Sequence, residues 1–209
     1  MFGPEGAADH AAGWLAERIP ARLRVLETRY QLDAGSLPDP AQVKAHETGP
    51  IAIEDWPSVY VLPQRLERMD LIEVRADASE VYRCRYIVRV LLWVRADSYA
   101  STDRLRKRYV LATREALLER KQLAPAPTYG AGDYGTDTSS TVVDPSGIRE
   151  DYSDVFTDDA SRTIAGAFLD VPLIVTEVLE GPAALGIVST TPEVTTTSDT
   201  ASIPPHPAL

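Results

Sequence analysis

Four groupings of residues in this chain have types and spacings that chemistry uses. Gly130, Gly132 and Gly135, in Gly130-Ala131-Gly132-Asp133-Tyr134-Gly135, match the spacing of a dinucleotide-binding turn. That turn works when a strand leads in and a helix leads out, because the helix N-terminus holds the pyrophosphate. Here Pro125 and Pro127 precede it, Thr/Ser-rich chain follows, and Asp133 and Asp137 would repel phosphate. No nucleotide site is expected. Asp151, Asp154, Asp158 and Asp159 surround Tyr152 and Phe156. Clustered carboxylates suit a hard divalent ion. The spacing matches no calcium loop and lacks its glycine, so a solvated acidic face or a docking patch for a basic neighbour is expected. A small metal-dependent enzyme is the alternative that this cluster leaves open.

Arg104, Arg106, Lys107 and Arg108 form a basic run at a predicted helix start. Cations there oppose the helix dipole at about 0.3–1 kcal/mol each when exposed. A solvated face is the common explanation, and an anionic partner, such as the acidic segment of another copy, would offset the cost. Glu177 interrupts an apolar strand and is expected to face water or to pair with an arginine at an interface. His10, His46 and His206 are far apart, and no triad or metal arrangement is suggested. Cys84 is the single cysteine, so no internal disulfide forms. Its place on an apolar strand face reads as a small buried thiol. No catalytic residue, cofactor or metal is predicted.

The elements that position these groups centre on residues 81–121. Tyr82, Cys84, Tyr86, Val88, Val90, Leu92 and Val94 alternate with Val81, Arg83, Arg85, Ile87, Arg89, Leu91, Trp93 and Arg95. A period of two puts the first set on a core face and the second on a mixed face. The mixed face is too apolar to lie bare in water and too charged for a deep core. Another element of the chain or a neighbouring subunit is expected to cover it. A basic helix then runs from a cap at Ser101 or Thr102 to about residue 120, with an apolar stripe of Leu105, Tyr109, Ala112, Ala116 and Leu117.

Upstream, residues 5–30 carry Ala8, Ala12, Leu15, Ile19, Leu23, Leu26 and Tyr30 at helical spacing, with a kink or a break expected at Pro20. Residues 33–50 read as loop. A strand over 58–62 stops at Pro63, and a second over 69–75 turns at Asp77, Ala78 and Ser79 into the long strand as a hairpin. Downstream, 124–147 is a long loop. Ile148, Glu150, Tyr152, Asp154 and Phe156 suggest an exposed strand. Residues 163–179 read as a covered strand in which Pro172 implies a bulge, a break or an edge position. The Thr/Ser/Pro-rich stretch 181–209 is expected to be a disordered tail. One α+β domain over residues 1–180 results, an antiparallel or mixed sheet packed against two long helices.

The 209 residues carry a net charge of −10, which argues against general nucleic-acid binding. The charge is uneven: basic residues crowd the strand-helix unit and acids the later segments, which favours docking between copies. No apolar run nears the ~20 residues of a membrane helix. Residues 1–14 lack a basic region followed by an apolar stretch, so no signal peptide is expected.

The order of elements resembles the tail terminator proteins of long-tailed bacteriophages, most of all those of actinobacterial phages. The resemblance rests on Arg18-Ile19-Pro20 within the first helix, Val59-Tyr60-Val61, the strand over 86–94, the helix over 101–120 and Leu173-Ile174-Val175-Thr176-Glu177-Val178. It implies a virion protein of the tail-neck region, assembled in the host cytoplasm. Six copies would form a ring on the tail tube, stop tube polymerisation and join the tail to the head, with DNA passing through the lumen. Partners would be the tail tube protein and a head-completion or neck connector protein. The family has no catalytic residues to carry over. Another neck protein, a head-completion or tail-completion factor, is the alternative. The subunit-interface candidates are Arg89, Trp93, Arg95, Arg104, Arg108, Asp154 and Asp158.

Overall fold

A computed structural model describes residues 3–46, 55–123, 140–157 and 162–179. Residues 124–139 of the loop expected over 124–147, the glycine-rich turn within them, Asp158, Asp159 and the tail over 181–209 lie outside the described residues. Among the described residues the fold is α+β: a mixed sheet of six strands with two helices. In chain order the elements are α1 (Gly3–Arg29), β1 (Gln42–Lys44), β2 (Ser58–Val74), β3 (Glu80–Ala96), α2 (Tyr99–Glu119), β4 (Thr141–Val143), β5 (Arg149–Thr157) and β6 (Thr163–Leu179). β1 pairs with β2 in parallel, and every other pairing is antiparallel. The sheet runs β1-β2-β3-β6, and β4 and β5 follow one another along the outer edge of β6.

Both helices bury their apolar stripes on one face of the sheet. α1 contributes Ala8, Ala12, Leu15, Ile19, Leu23 and Leu26, and α2 contributes Leu105, Tyr109, Ala112, Ala116 and Leu117. They meet Val88, Val90, Leu92 and Val94 of β3 and Ala167, Leu169, Val171 and Leu173 of β6. Each fully buried aliphatic side chain contributes about 1.5–3 kcal/mol. Polar links tie the helices to each other. The Trp14 indole N–H donates to the Ala116 carbonyl at 2.8 Å, Arg18 and Arg22 both pair with Glu119, and Arg29 pairs with Glu115. Glu27 is buried against the loop after α1 and accepts the Leu37 N–H at 2.8 Å. That bond, seconded by the Gly35 N–H and Arg24, holds its carboxyl below the usual range.

The elements depart from the sequence reading in six places, the first being β4 and the 3-10 turn at Pro145–Gly147, which fall inside the segment read as loop over 124–147 and are too short to show a period. α1 runs through Pro20 without a break. The carbonyl that loses its N–H partner belongs to Ala16, which is exposed, so water can satisfy it. β1 lies inside the segment read as loop, where three residues are too few to show a period. The two short strands over 58–62 and 69–75 are one strand, β2, which passes Pro63. β2 is an edge strand there, because its pairing with β1 ends at Tyr60, and a bulge follows between Pro63 and Arg65. α2 begins one turn early, capped by Ser98, whose hydroxyl accepts from the Ser101 N–H while the Ser101 hydroxyl accepts from the Ser98 N–H. Tyr30 is exposed rather than part of the α1 stripe.

Pro172 sits within β6 without breaking it. On one side β6 pairs with β3 along its whole length. On the other side, β4 covers 173–175 and β5 covers 163–170, and a single 3-10 turn, Pro145–Gly147, fills the gap. The Pro172 carbonyl accepts the Asp144 N–H at 2.9 Å, so the missing N–H falls in that gap and leaves no ladder acceptor unmet. Gly147 makes the crossing fit, since a Cβ there would lie 2.7 Å from both the Arg85 Nη2 and the Pro172 Cγ.

Truncating a side chain in the helix-sheet core should cost far more than truncating one on its rim. Leu23→Ala is expected to lower the unfolding free energy in urea by about 2–5 kcal/mol. Leu118→Ala, at 40% exposure, should change it by no more than about 0.5 kcal/mol.

Candidate functional site

The candidate site is the sheet face that carries no helix among the described residues. Its membership follows from register, because residues paired across strands share a face. β3 and β6 pair without interruption, so Arg85, Ile87, Arg89, Leu91, Trp93 and Arg95 lie opposite Ile174, Pro172, Asp170, Phe168, Gly166 and Ile164. Tyr60 and Leu62 of β2 extend the face beyond Leu91 and Arg89. Apolar and charged side chains are interleaved. Leu91, Trp93, Ile164, Phe168 and Ile174 are half-buried, while Tyr60, Leu62 and Ile87 are buried.

Most of the charge on this face is matched within the chain. The Arg89 guanidinium meets the Asp170 carboxylate through two hydrogen bonds, of 2.7 and 2.9 Å, and stacks 4.0 Å from the Phe168 ring centroid. Arg85 pairs with Glu67 and with Asp144, the latter at 3.0 Å. Arg65, Glu67, Arg85, Arg149 and Asp170 line a polar cleft of about 240 Å³ beside the 3-10 turn. Trp93 stands edge-on to Trp56 at 6.4 Å and lies flat over Gly166, where a Cβ would be 2.9 Å from the indole. Arg95 makes no ion pair among the described residues.

The predicted interface residues therefore fall in three places rather than one. Arg89, Trp93 and Arg95 share the helix-free face. Arg104 and Arg108 sit on α2, in the layer on the other side of the sheet; Arg104 is exposed and Arg108 lies over the Tyr30 ring at 5.4 Å. Asp154 is exposed at the bulge of β5, on the sheet edge. Asp158 lies outside the described residues.

The basic run is not a uniform solvated face. Arg106 turns inward and is 6% exposed. Its guanidinium donates to the Ser153 and Gly166 carbonyls, pairs with Asp103 and lies 5.1 Å from the Tyr152 ring centroid. It thereby ties α2 to the β5-β6 edge. Ser153, the bulged residue, inserts its hydroxyl between the Gly166 N–H, at 2.8 Å, and the Gly166 carbonyl, at 3.1 Å. The helical spacing of Thr102, Arg106, Tyr109 and Thr113 is the signal that could have placed Arg106 inside. Asp170 carries no such signal, since its partner lies 81 residues away in sequence, and neither does Phe168.

Glu177 faces neither water nor an arginine. It is 9% exposed on the helix side, and its carboxylate accepts the Tyr86 hydroxyl at 2.7 Å. Cys84 is beside it, fully buried, and burial, seconded by Glu177, pushes its thiol up to about 11. Among the described residues no three His, Cys, Asp or Glu side chains gather as metal ligands would. No described helix is long and apolar enough to cross a membrane. A scan against protein-family models gives no match for this chain, and a search of curated proteins gives none either.

Two carboxyls, Asp144 beside Arg85 on this face and Asp103 on α2, give the protein an acid limb. Lys107, then Arg106, hold Asp103 below its ordinary range. The Ser146 hydroxyl and N–H, then Arg85, do the same for Asp144. A folded-state value below the unfolded one stabilises the fold above the ordinary carboxylate range of about 4, and that contribution is lost as the pH falls through the folded value. Melting temperature should decline below about pH 4, and Asp144→Asn should make the decline shallower. Arg106→Met, which removes a donor from the Ser153 and Gly166 carbonyls and one of the two cations on Asp103, should cost about 3 kcal/mol in denaturant unfolding, against less than about 1 kcal/mol for Lys107→Met.

Proposed function

We propose that this chain is a structural virion protein of a long-tailed bacteriophage that caps the tail tube as a homohexameric ring. In that role it ends tube polymerisation and forms the joint to the head and neck. The observation that carries the reading is the one-sided domain. Two helices bury one face of the sheet, and the other presents Leu91, Trp93, Ile164, Phe168 and Ile174 half-buried between arginines. Interleaved apolar and charged groups on an open face suit a surface that a neighbouring subunit covers. The element order resembles the terminator family, and the segregated charge supports contacts between copies. The ring works by geometry: it offers the tube one face and the neck connector the other, and leaves a lumen for DNA.

Charge then steers the contact. Arg95 and Arg104 have no ion-pair partner among the described residues, and Asp154 on the sheet edge is an exposed acid for a neighbour's cation. Such contacts fall off with salt.

The deciding experiment adds purified chain to polymerising tail tube protein. Tubes should stop growing at stoichiometric chain, and negative-stain images should show a six-subunit ring at one end. Tubes of unchanged length would overturn the reading. Arg104→Glu with Arg108→Glu should weaken assembly and make it more sensitive to salt, and assembly unchanged in both respects would remove the electrostatic part.

A further inference from the structure

The outer half of β2 carries five of the exposed large apolar side chains among the described residues. From Val61 to Val74 this strand has no partner on its outer side among the described residues. Leu66, Met69, Leu71, Ile72 and Val74 are 42–59% exposed. Three bulges interrupt its pairing with β3, between Pro63 and Arg65, Leu66 and Arg68, and Leu71 and Glu73. Their effect is to sort the side chains. Leu66, Met69, Leu71 and Val74 lie opposite Tyr86, Cys84, Tyr82 and Glu80, on the helix face. Arg65, Arg68, Asp70 and Glu73 lie opposite Ile87, Arg85, Arg83 and Val81, on the other face. A strand whose plain period of two would scramble apolar and charged residues thus has an apolar side and a charged side.

The charged side is complementary to itself. With Met69 as a centre, antiparallel pairing of two copies of this strand sets Arg65 against Glu73 and Arg68 against Asp70, each twice. Met69 meets Met69 and, with Glu67 and Ile72 as the extra residues, Leu66 meets Leu71. Every charged pair lies on one face and the Met69 pair on the other, as the pleat requires. The bulges do not spoil the register. Between the centre and the outer pair, one strand spends its extra residue at Glu67 and the facing strand spends its own at Ile72, so the lengths agree. Bulges discourage indiscriminate pairing at an edge. Here they admit a register in which both strands carry the same irregularity.

We infer that the free edge of β2 takes the same edge of a second copy, antiparallel and in register about Met69. The two-fold axis is perpendicular to the sheet, so the joined sheet is continuous and keeps all four helices on one side. Two apolar strips meet across the axis. The contact is isologous and uses neither the basic helix nor Asp154, so it stands independently of the ring proposed above.

Cysteine cross-linking of the full chain tests it. Met69→Cys should give a disulfide-linked dimer on mild oxidation, because facing residues of antiparallel strands lie within disulfide reach. All variants are made on a Cys84→Ala background, because Cys84 lies directly opposite Met69 on β3 and would compete for the new thiol, and that background chain is the control. Arg65→Cys alone should not cross-link, because the two copies of residue 65 would be eight residues apart along the strands, about 27 Å. Arg65→Cys mixed with Glu73→Cys should cross-link. Arg65→Glu should weaken self-association about tenfold, and adding Glu73→Arg should restore it. A Met69→Cys chain that stays monomeric under oxidation overturns the inference. So does Arg65→Cys cross-linking to itself, or a charge-swapped double variant no stronger than the single one. These positions are exposed, and an unchanged melting temperature confirms that each variant is folded. The readout is a covalent pair on a denaturing gel, which the presence or absence of a six-subunit ring does not alter.

Discussion

The pairing of β3 with β6 is the constraint on which the rest of the molecule depends. Seventeen residues of each strand pair without a shift, from Glu80 opposite Leu179 to Ala96 opposite Thr163. A slip of one residue would turn every side chain of a strand to the other face. Val88, Val90, Leu92 and Val94 would then leave the helices, and Arg85, Arg89 and Arg95 would enter the core. The desolvation of three unpaired guanidiniums would cost several kcal/mol each. The register is therefore held by what it buries and by what it keeps out. It also brings Arg89 to Asp170 and lays Trp93 on Gly166, so the helix-free face is built by the same pairing as the core.

Around that pair, local irregularities sit where the ladder can spare them. Pro63 lies on an edge, and Pro172 lies opposite the gap between β4 and β5. The 3-10 turn crosses that gap on Gly147, where a side chain would strike Arg85 and Pro172. Ser153 replaces a lost ladder contact with its hydroxyl at the bulge of β5. The bulges of β2 turn four apolar side chains to one face. Each departure from regular strand geometry has a side chain or a backbone gap that absorbs it.

The arginine-rich texture of the strand-helix unit divides into three jobs. Arg85 and Arg89 neutralise acids on the helix-free face, Arg106 fastens α2 to the β5-β6 edge, and Arg95 and Arg104 remain unpaired among the described residues. A structural arginine and a docking arginine look alike in sequence. The difference is whether an acid or a carbonyl of the same chain comes within reach, and for Arg85 with Asp144, Arg89 and Arg106 that depends on pairings 47 to 81 residues apart in the chain. The charge available to a neighbour is correspondingly smaller than the composition of the segment suggests.

What the sequence determined by itself is what local periodicity can encode. The alternation from Tyr82 to Val94, the helical stripes from Ala8 to Leu26 and from Leu105 to Leu117, and the double-sided apolar run from 163 to 179 identify the core strands and helices, because burial on one face leaves a period of 2 or 3.6. The hairpin turn at Asp77 to Ser79 and the buried Cys84 are legible for the same reason. The tertiary structure alone decided which residues meet. β1 is too short to carry a period. The continuity of β2 through Pro63 depends on the strand being an edge. The cap at Ser98 rests on a reciprocal bond with Ser101. Asp170 under Arg89, Glu177 under Tyr86 and the inward turn of Arg106 depend on register between distant strands. A one-dimensional pattern states which face a residue prefers; only the folded sheet states what stands opposite it.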